Sequence, residues 1–351
     1  MHTRTSIELH PDGCRVVVIR PATTAGAEPR VLRVVASAAD GSEASTVTAA
    51  LARLRRRHRL PRLALVTLWG LRSSHHLIQV PASPASEVVS AALARTRKAA
   101  AALARRGEGT TVAVKDGGLR ADGVTRDASV VAVSNADVRD HLQPVLDAGF
   151  VVTGVTTPAL ALASLARQRR EPAGAAVAYV ALNPGATCLA IARDGVLLFS
   201  REVAWGYVSA ADAGAAATRV VTGLQRLIQQ FMTASAIPVA AMRLAGDAGA
   251  LHGLATPLSQ ALGIKVDAVE PLTTLDTDAL SQPADTFAAD AVALRLVIAA
   301  AADRVPAVNL LPASLRAPRR RYAAAAGIAA GVATALFLAG CYWRDVPLSW
   351  F

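Results

Sequence analysis

The sequence predicts an internally duplicated α/β protein of two lobes, followed by one transmembrane helix. Three observations carry this. Valine-rich meanders of short strands occur twice, near residues 6–36 and 177–203, and each is followed by segments of helical period. A breaker cluster, Arg169-Arg170-Glu171-Pro172-Ala173-Gly174, lies between the two cycles. Near the C-terminus, Tyr322–Trp343 (YAAAAGIAAGVATALFLAGCYW) has no charge on any face.

The first cycle opens with strands at Ser6–Leu9, Arg15–Ile19 and Val31–Ala36, then a helix at Ser42–Arg57. Strands at Leu63–Leu68 and His76–Val80 follow, and a helix at Ser86–Arg106 opens after Pro84. Short strands are expected at Thr110–Val114 and Val130–Val133. A helix at Ala136–Ala148 stops at Gly149, which suits a C-terminal cap. The cycle closes with a strand at Val151–Val155 and a helix at Pro158–Arg169, its proline suited to the first turn. The second cycle has strands at Val177–Leu182, Cys188–Arg193 and Val196–Val203, the last two joined by Asp194-Gly195. A long helix at Ala211–Ser235, a strand at Ala241–Ala245, a helix at Ala250–Leu262, a strand at Lys265–Val269 and a helix at Thr286–Ala301 complete it. These readings divide the chain into a first lobe (1–171, with a small inserted subdomain at about 81–150) and a second lobe (172–302). A linker (303–321), the transmembrane helix (322–343) and a short extracytoplasmic tail (344–351) follow.

At 1.5 Å rise per residue the uncharged segment covers roughly 33 Å, enough for a hydrocarbon core of about 30 Å. Tyr322 at one end and Tyr342-Trp343 at the other suit the two interfaces. Arg316 and Arg319–Arg321 precede it while only Arg344 and Asp345 follow, so the large domain is expected on the cytoplasmic side. Within the span, Gly327 and Gly331 form a GxxxG pattern that permits close helix pairing, hence an expected homodimer contact.

The net charge of +11 and pI near 10.6 fit either nucleic acid or an anionic membrane surface. The arginines at 316–321 lie where the inner leaflet would be, which makes anionic lipid an expected partner. A second basic run, Arg53, Arg55, Arg56, Arg57, His58, Arg59 and Arg62, has no interleaved aromatics. It reads as a solvated helix face, and no nucleic-acid partner is expected. Cys14, Cys188 and Cys341 are scattered, which excludes a disulfide framework and a cysteine metal cluster and suits a reducing compartment. The N-terminal MHTRTSIELHPDG lacks the apolar run of a signal peptide. His75-His76 has no cluster of Asp, Glu or Cys at ligand spacing, so no metal site is assigned. No Ser-His-Asp or Cys-His arrangement is present, and no catalytic residue is assigned.

Several motifs carry a resemblance. Asn183-Pro-Gly185-Ala186-Thr187-x-Leu189-x-Ile191, Asp194-Gly195 and Phe199-Ser-Arg201-Glu-Val203-x-x-Gly206 resemble the phosphate-binding hairpin of actin-like (sugar kinase/Hsp70/actin) ATPases. Glu8-Leu9-His10-Pro-Asp12-Gly13-Cys-Arg15-Val16-Val17 aligns with that fold's first phosphate motif. Leu244-Ala-Gly246-Asp247-Ala248-Gly249-Ala-Leu251-x-Gly253-Leu254 is similar to its adenosine motif, and Phe287–Arg295 to its closing helix. The match is nearest to PilM-type pilus assembly proteins and their relative FtsA. Val308-Asn309-Leu310-Leu311-Pro312, then an arginine cluster, then a span, is how PilN-type proteins begin. The chain thus resembles a PilM-type protein fused to the start of a PilN-type one, and GspL-type proteins of type II secretion have the same order.

The resemblance implies a nucleotide cleft formed by Glu8, Asn183, Gly185, Thr187, Gly246, Asp247 and Gly249. In ATPases of this fold a carboxylate opens each phosphate hairpin to hold Mg²⁺ or its waters, and glycines let backbone N–H groups approach the phosphates. Here glutamate replaces aspartate at position 8 and His10 stands where glycine is expected. Asn183 replaces the second aspartate, Pro184 removes a donor, and Asp247 adds negative charge where phosphate would lie. The cleft is therefore read as degenerate: ATP with Mg²⁺ stays open as a ligand, hydrolysis is not expected, and Arg201, Gly206 and Gly249 are expected to serve packing and turns.

The resemblance further implies an assembly-platform role at the bacterial inner membrane, in a type IV pilus or type II secretion-like system. PilN- and PilO-like membrane components and an assembly ATPase are the expected partners, with Asn309, Leu310, Leu311 and Pro312 as the partner-binding residues. That tetrapeptide is expected to fold back into a groove of the same or a neighbouring domain. The alternative is a membrane-tethered, FtsA-like ATPase that self-assembles.

Overall fold

A computed structural model describes residues 3–10, 13–20, 30–38, 44–268 and 294–316, apart from 83, 105–106, 121, 169–170, 173, 207–212, 247 and 303–307. Tyr322–Trp343, with Gly327 and Gly331, lies outside the described residues, as do Asp247 and the first half (286–293) of the stretch read as a helix at Thr286–Ala301. Among the described residues no helix is long and apolar enough to cross a membrane.

Strands β1 (Arg4–His10), β2 (Gly13–Arg20) and β3 (Arg30–Ala38) form an antiparallel meander. Helix α1 (Ala44–Arg57) then leads to β4 (Leu63–Leu68), parallel to β1. An excursion follows: β5 (Ser73–Pro81), α2 (Ala85–Ala101), β6 (Thr110–Leu119) and β7 (Thr125–Ser134). Its strands form their own antiparallel sheet, in the order β5-β7-β6, with α2 packed on it. Helix α3 (Asn135–Asp147), capped by the Ser134 hydroxyl, returns the chain to β8 (Val151–Thr156), parallel to β4, and α4 (Pro158–Gln168) ends the lobe.

The second lobe repeats the plan. Strands β9 (Ala176–Leu182), β10 (Thr187–Arg193) and β11 (Val196–Val203) form the meander, followed by α5 (Ala213–Ser235). Then come β12 (Val239–Gly246), α6 (Ala248–Leu262), β13 (Lys265–Ala268) and α7 (Arg295–Ala302). The sheets read β3-β2-β1-β4-β8 and β11-β10-β9-β12-β13, the same topology twice. Central β9 is AVAYVAL because both its faces are covered. Val177, Tyr179 and Ala181 join the core shared with α4 and α7, while Ala176, Ala178, Val180 and Leu182 join a second core with residues of α5 and α6.

The two central helices are exchanged. α4, from the first lobe, packs on β9, β10 and β11, and α7, from the second, packs on β1, β2 and β4. They also pack on each other, and the Ser6 hydroxyl donates to the Val297 carbonyl at 2.7 Å. Residues Met1–Leu315 make one compact unit.

Some elements differ from expectation. β5 belongs to the inserted sheet, so the excursion begins at Ser73. α2 stops at Ala101 because the chain tightens to i→i−3 bonds at Leu103 and Ala104, and Gly107 has φ +71°. β6 continues past Val114 to Leu119, since Gly117 lets the backbone close on Asp127, where a Cβ would meet the carbonyl at 2.9 Å.

Candidate functional site

Two arrangements stand out, one at the paired hairpins and one along β8. On the first hairpin Glu8 and Arg15 are cross-strand partners in register. Glu8 is fully buried, and its Oε1 accepts from Arg15 Nη1 at 3.2 Å and from the Trp69 indole at 2.8 Å. The same Arg15 nitrogen donates to Asn183 Oδ1 at 3.1 Å. Asn183 opens the second hairpin, whose turn is closed by Asn183 N–H donating to the Ala186 carbonyl at 2.9 Å. One guanidinium thus joins the hairpins of both lobes. Burial pushes the Glu8 carboxyl up, and Arg15, the Trp69 N–H and Asn183 act against that rise.

The remaining expected cleft residues are held by packing. Thr187 is fully buried, its hydroxyl donating to the Trp205 carbonyl at 2.7 Å. Gly206 lies so close to the hairpin turn that a Cβ would come within 2.0 Å of the Asn183 carbonyl. Gly246, at φ +133° and paired with Leu182, would bring a Cβ within 2.1 Å of the Leu182 carbonyl. Gly185 is half-buried in the hairpin turn, and Gly249 lies in the first turn of α6. Glu8, Asn183 and Arg15 are therefore brought together, with Gly246 one strand away.

These residues do not fit a nucleotide-bound Mg²⁺. Glu8 Oε1 and Asn183 Oδ1, the oxygens facing each other across the lobes, are both engaged by a fixed cation that would repel a second one. Glu8 Oε2 and Asn183 Nδ2 have no hydrogen-bond partner among the described residues.

The inserted sheet is fastened to the second lobe's outer hairpin. Lys115 donates to the Gly195 carbonyl, and Asp127, 1% exposed, pairs with Arg193 at 2.6 Å and Arg120 at 3.2 Å. His75 Nε2 lies 3.1 Å from the Leu197 carbonyl and 3.0 Å from the Ser129 hydroxyl. A carbonyl only accepts, so Nε2 carries the proton, and burial holds this imidazole at about 4. His75 is thus a structural donor, and no group of metal-ligating side chains forms among the described residues. Close by, the Gly70 N–H donates to the Glu202 carboxyl at 2.5 Å, a further link between the lobes.

The second arrangement is the segment at Val308–Leu315. Asn309 Oδ1 accepts from Val155 N–H at 3.0 Å, and its Nδ2 donates to the Thr153 carbonyl at 3.2 Å. Leu310 N–H donates to the Val155 carbonyl at 2.9 Å, and Leu311 N–H to Asn309 Oδ1 at 3.0 Å. Leu310 and Leu311 are 0% and 1% exposed in the main core, and Pro312 is buried. The tetrapeptide covers the β8 edge of the first sheet, with Asn309 standing in for main-chain pairing. Val308 lines a small cavity with Thr156, and a one-turn 3₁₀ helix (Ala313–Leu315) follows the tetrapeptide.

Arg15 and Trp69 were not singled out from sequence. The register that pairs His10 with Gly13 also sets Glu8 opposite Arg15. Nothing local marks Trp69, which arrives from the end of β4.

Two lobes of repeated βββαβαβα order, each covering the other with its last helix, define an actin-like fold. No family model matches the chain, and no curated protein does. Among solved structures it is similar to a chain of a PilM–PilN type IV pilus biogenesis complex, at 16% identity and a TM-score of 0.65, over 90% of this chain and 99% of that one. It is also similar to the cytoplasmic domain of EpsL, an inner-membrane component of the type II secretion system of Vibrio cholerae. There the identity is 12% and the TM-score 0.48, over 90% of this chain and all of that one. A protein of actin-like ATPase fold from Bacteroides thetaiotaomicron matches at 10% identity and TM-score 0.43, over 76% and 90%. The PilM–PilN likeness is one of fold.

Proposed function

We propose that this chain is an inner-membrane assembly-platform component of a type IV pilus or type II secretion-like system. The observation that carries the reading is the seating of Asn309–Pro312 on β8. A PilN-like opening motif is docked on a PilM-like domain of the same chain, and the solved structure with the most similar fold described above is a complex of those two components. On this reading the docked tetrapeptide joins the cytoplasmic domain to the uncharged segment at 322–343, which spans the inner membrane. The domain scaffolds cytoplasmic partners, an assembly ATPase among them, and PilN- and PilO-like components pair at the membrane. The Arg15 bridge between the two hairpins supports reading the domain as a scaffold that does not turn over ATP.

Gene deletion in the native host tests this. Loss of surface pili or of protein secretion is expected, restored by the unmodified gene and not by one carrying Leu310→Asp with Leu311→Asp. Deletion that leaves both processes intact overturns the reading. Retention of radiolabelled ATP with Mg²⁺ and its turnover by the unmodified protein would overturn the scaffold part alone.

A further inference from the structure

The strand directions of the first sheet send one end of it away from the cleft. β1, β4 and β8 start at that end, β2 finishes there, and α1 delivers its C-terminus to it. Arginine recurs at these positions. Arg56, Arg57 and Arg59 stand at the end of α1, Arg62 just before β4, and Arg33 near the start of β3; all five are exposed. Arg4, Arg20 and Arg30, at the same ends of β1, β2 and β3, are half-buried. Asp147, at the end of α3, is an acidic residue at the same level. The helix dipole explains favourable cations in the last turn of α1, but not arginine on four further elements.

Arg59 adds an independent sign. The end of α1 is a Schellman turn, with Leu60 N–H donating to the Arg55 carbonyl at 3.0 Å and Arg59 N–H to Arg56 at 3.4 Å. Arg59 sits at φ +49°, the left-handed position that glycine fills at least cost, and presents an exposed guanidinium there.

We propose that this basic pole of the first lobe docks on an anionic lipid bilayer. The occupant follows from charge and from what the sequence carries next. After the exposed Arg316 come Arg319–Arg321 and then the uncharged stretch from Tyr322. Five residues separate Arg316 from Tyr322, at most about 20 Å of extended chain, so a membrane entered at Tyr322 lies within that length of chain from the domain's end. The inference rests on the membrane reading above. It gives the bilayer two contacts with the protein, the tether and the pole, and so fixes the first lobe's β8 edge and cleft at a set height over the surface. Nucleic acid is the poorer fit, because no aromatic side chain interleaves with the arginines for stacking.

The test uses residues 1–315, the compact unit that contains the docked leucines of its own core and stops before the arginine cluster and the apolar stretch. Co-sedimentation with mixed phosphatidylglycerol and phosphatidylcholine vesicles is expected, lost in high salt and absent with phosphatidylcholine alone. Each arginine near the surface contributes about fivefold, so Arg56→Gln, Arg59→Gln and Arg62→Gln together lower partition by about 100-fold. Arg59→Gly alone lowers it by about fivefold with an unchanged or higher Tm, which separates charge from folding. Equal sedimentation with and without phosphatidylglycerol, an unaffected triple variant, or displacement by duplex DNA each overturns the proposal. Membrane fractionation of the full chain is read separately: a soluble full chain defeats the membrane reading, whatever the fragment does.

Discussion

Arg15 Nη1 lies 3.1 Å from Asn183 Oδ1, and through it the first lobe's hairpin grips the second's. The same nitrogen holds the buried Glu8. Removing the guanidinium leaves a carboxyl in the interior without its cation, so Arg15→Ala is expected to cost about 3 kcal/mol in urea unfolding. Adding Glu8→Gln to that variant recovers part of the loss. The sign with pH is also set. Burial raises the folded Glu8 carboxyl, so its protonated form is favoured by folding and the deficit of Arg15→Ala shrinks as pH falls. A deficit that grows toward acid would show that Glu8 has found another partner.

The docked segment should respond to its asparagine as well as to its buried leucines. Asn309→Ala removes the acceptor of the Val155 and Leu311 amides, a local loss of about 1–3 kcal/mol. Hydrogen exchange at these two amides is expected to accelerate roughly 5- to 150-fold, while the β9 amides keep their protection. Exchange that stays unchanged at Val155 would mean that the segment is held by Leu310 and Leu311 without help.

His75 makes the protein acid-sensitive in a defined window. Its imidazole titrates at about 4 when folded against 6.5 otherwise, so the stability it supports is full above about pH 6.5 and falls as pH drops toward 4. Between about pH 7 and pH 5 this group alone contributes a loss of about 2 kcal/mol. Urea midpoints across that range, in the unmodified protein and in His75→Gln, isolate it: the variant lacks this part of the slope.

Gly206 and Gly246 are expected to tolerate no methyl group. A Cβ at either would sit about 2 Å from a backbone carbonyl that cannot turn aside. Gly206→Ala and Gly246→Ala should each lower the Tm by about 3 °C or more, since repacking of this kind costs over about 2 kcal/mol. A neutral Gly206→Ala would mean that the Asn183–Ala186 turn can move as a body.

Much of this architecture was written in local pattern. The alternating and continuous valine runs mark both meanders, and Gly149 and Pro158 mark helix ends close to where they fall. What escaped was long-range. The alternation of β5 does not say which sheet it joins; its pairing with β7 does. The cleft showed the same division. Glu8 and Asn183 were visible as departures from a motif, but the bridge between them depends on two lobes closing, and sequence spacing does not report a contact 168 residues apart. Asn309–Pro312 was conspicuous for its composition, while nothing local says which of the sheet's two edge strands, β3 or β8, seats it.

The exchange of α4 and α7 also has a consequence for synthesis. The face of β1 that carries Ser6 is covered by a helix whose residues lie almost 300 positions later, with Ser6 and Val297 separated by 291. On the ribosome the first sheet emerges early and waits, one apolar face open, until nearly the whole chain has been made. Neither lobe can finish folding as a separate product, so early arrest of translation should yield an aggregating fragment that occupies chaperones, with no half-sized soluble domain.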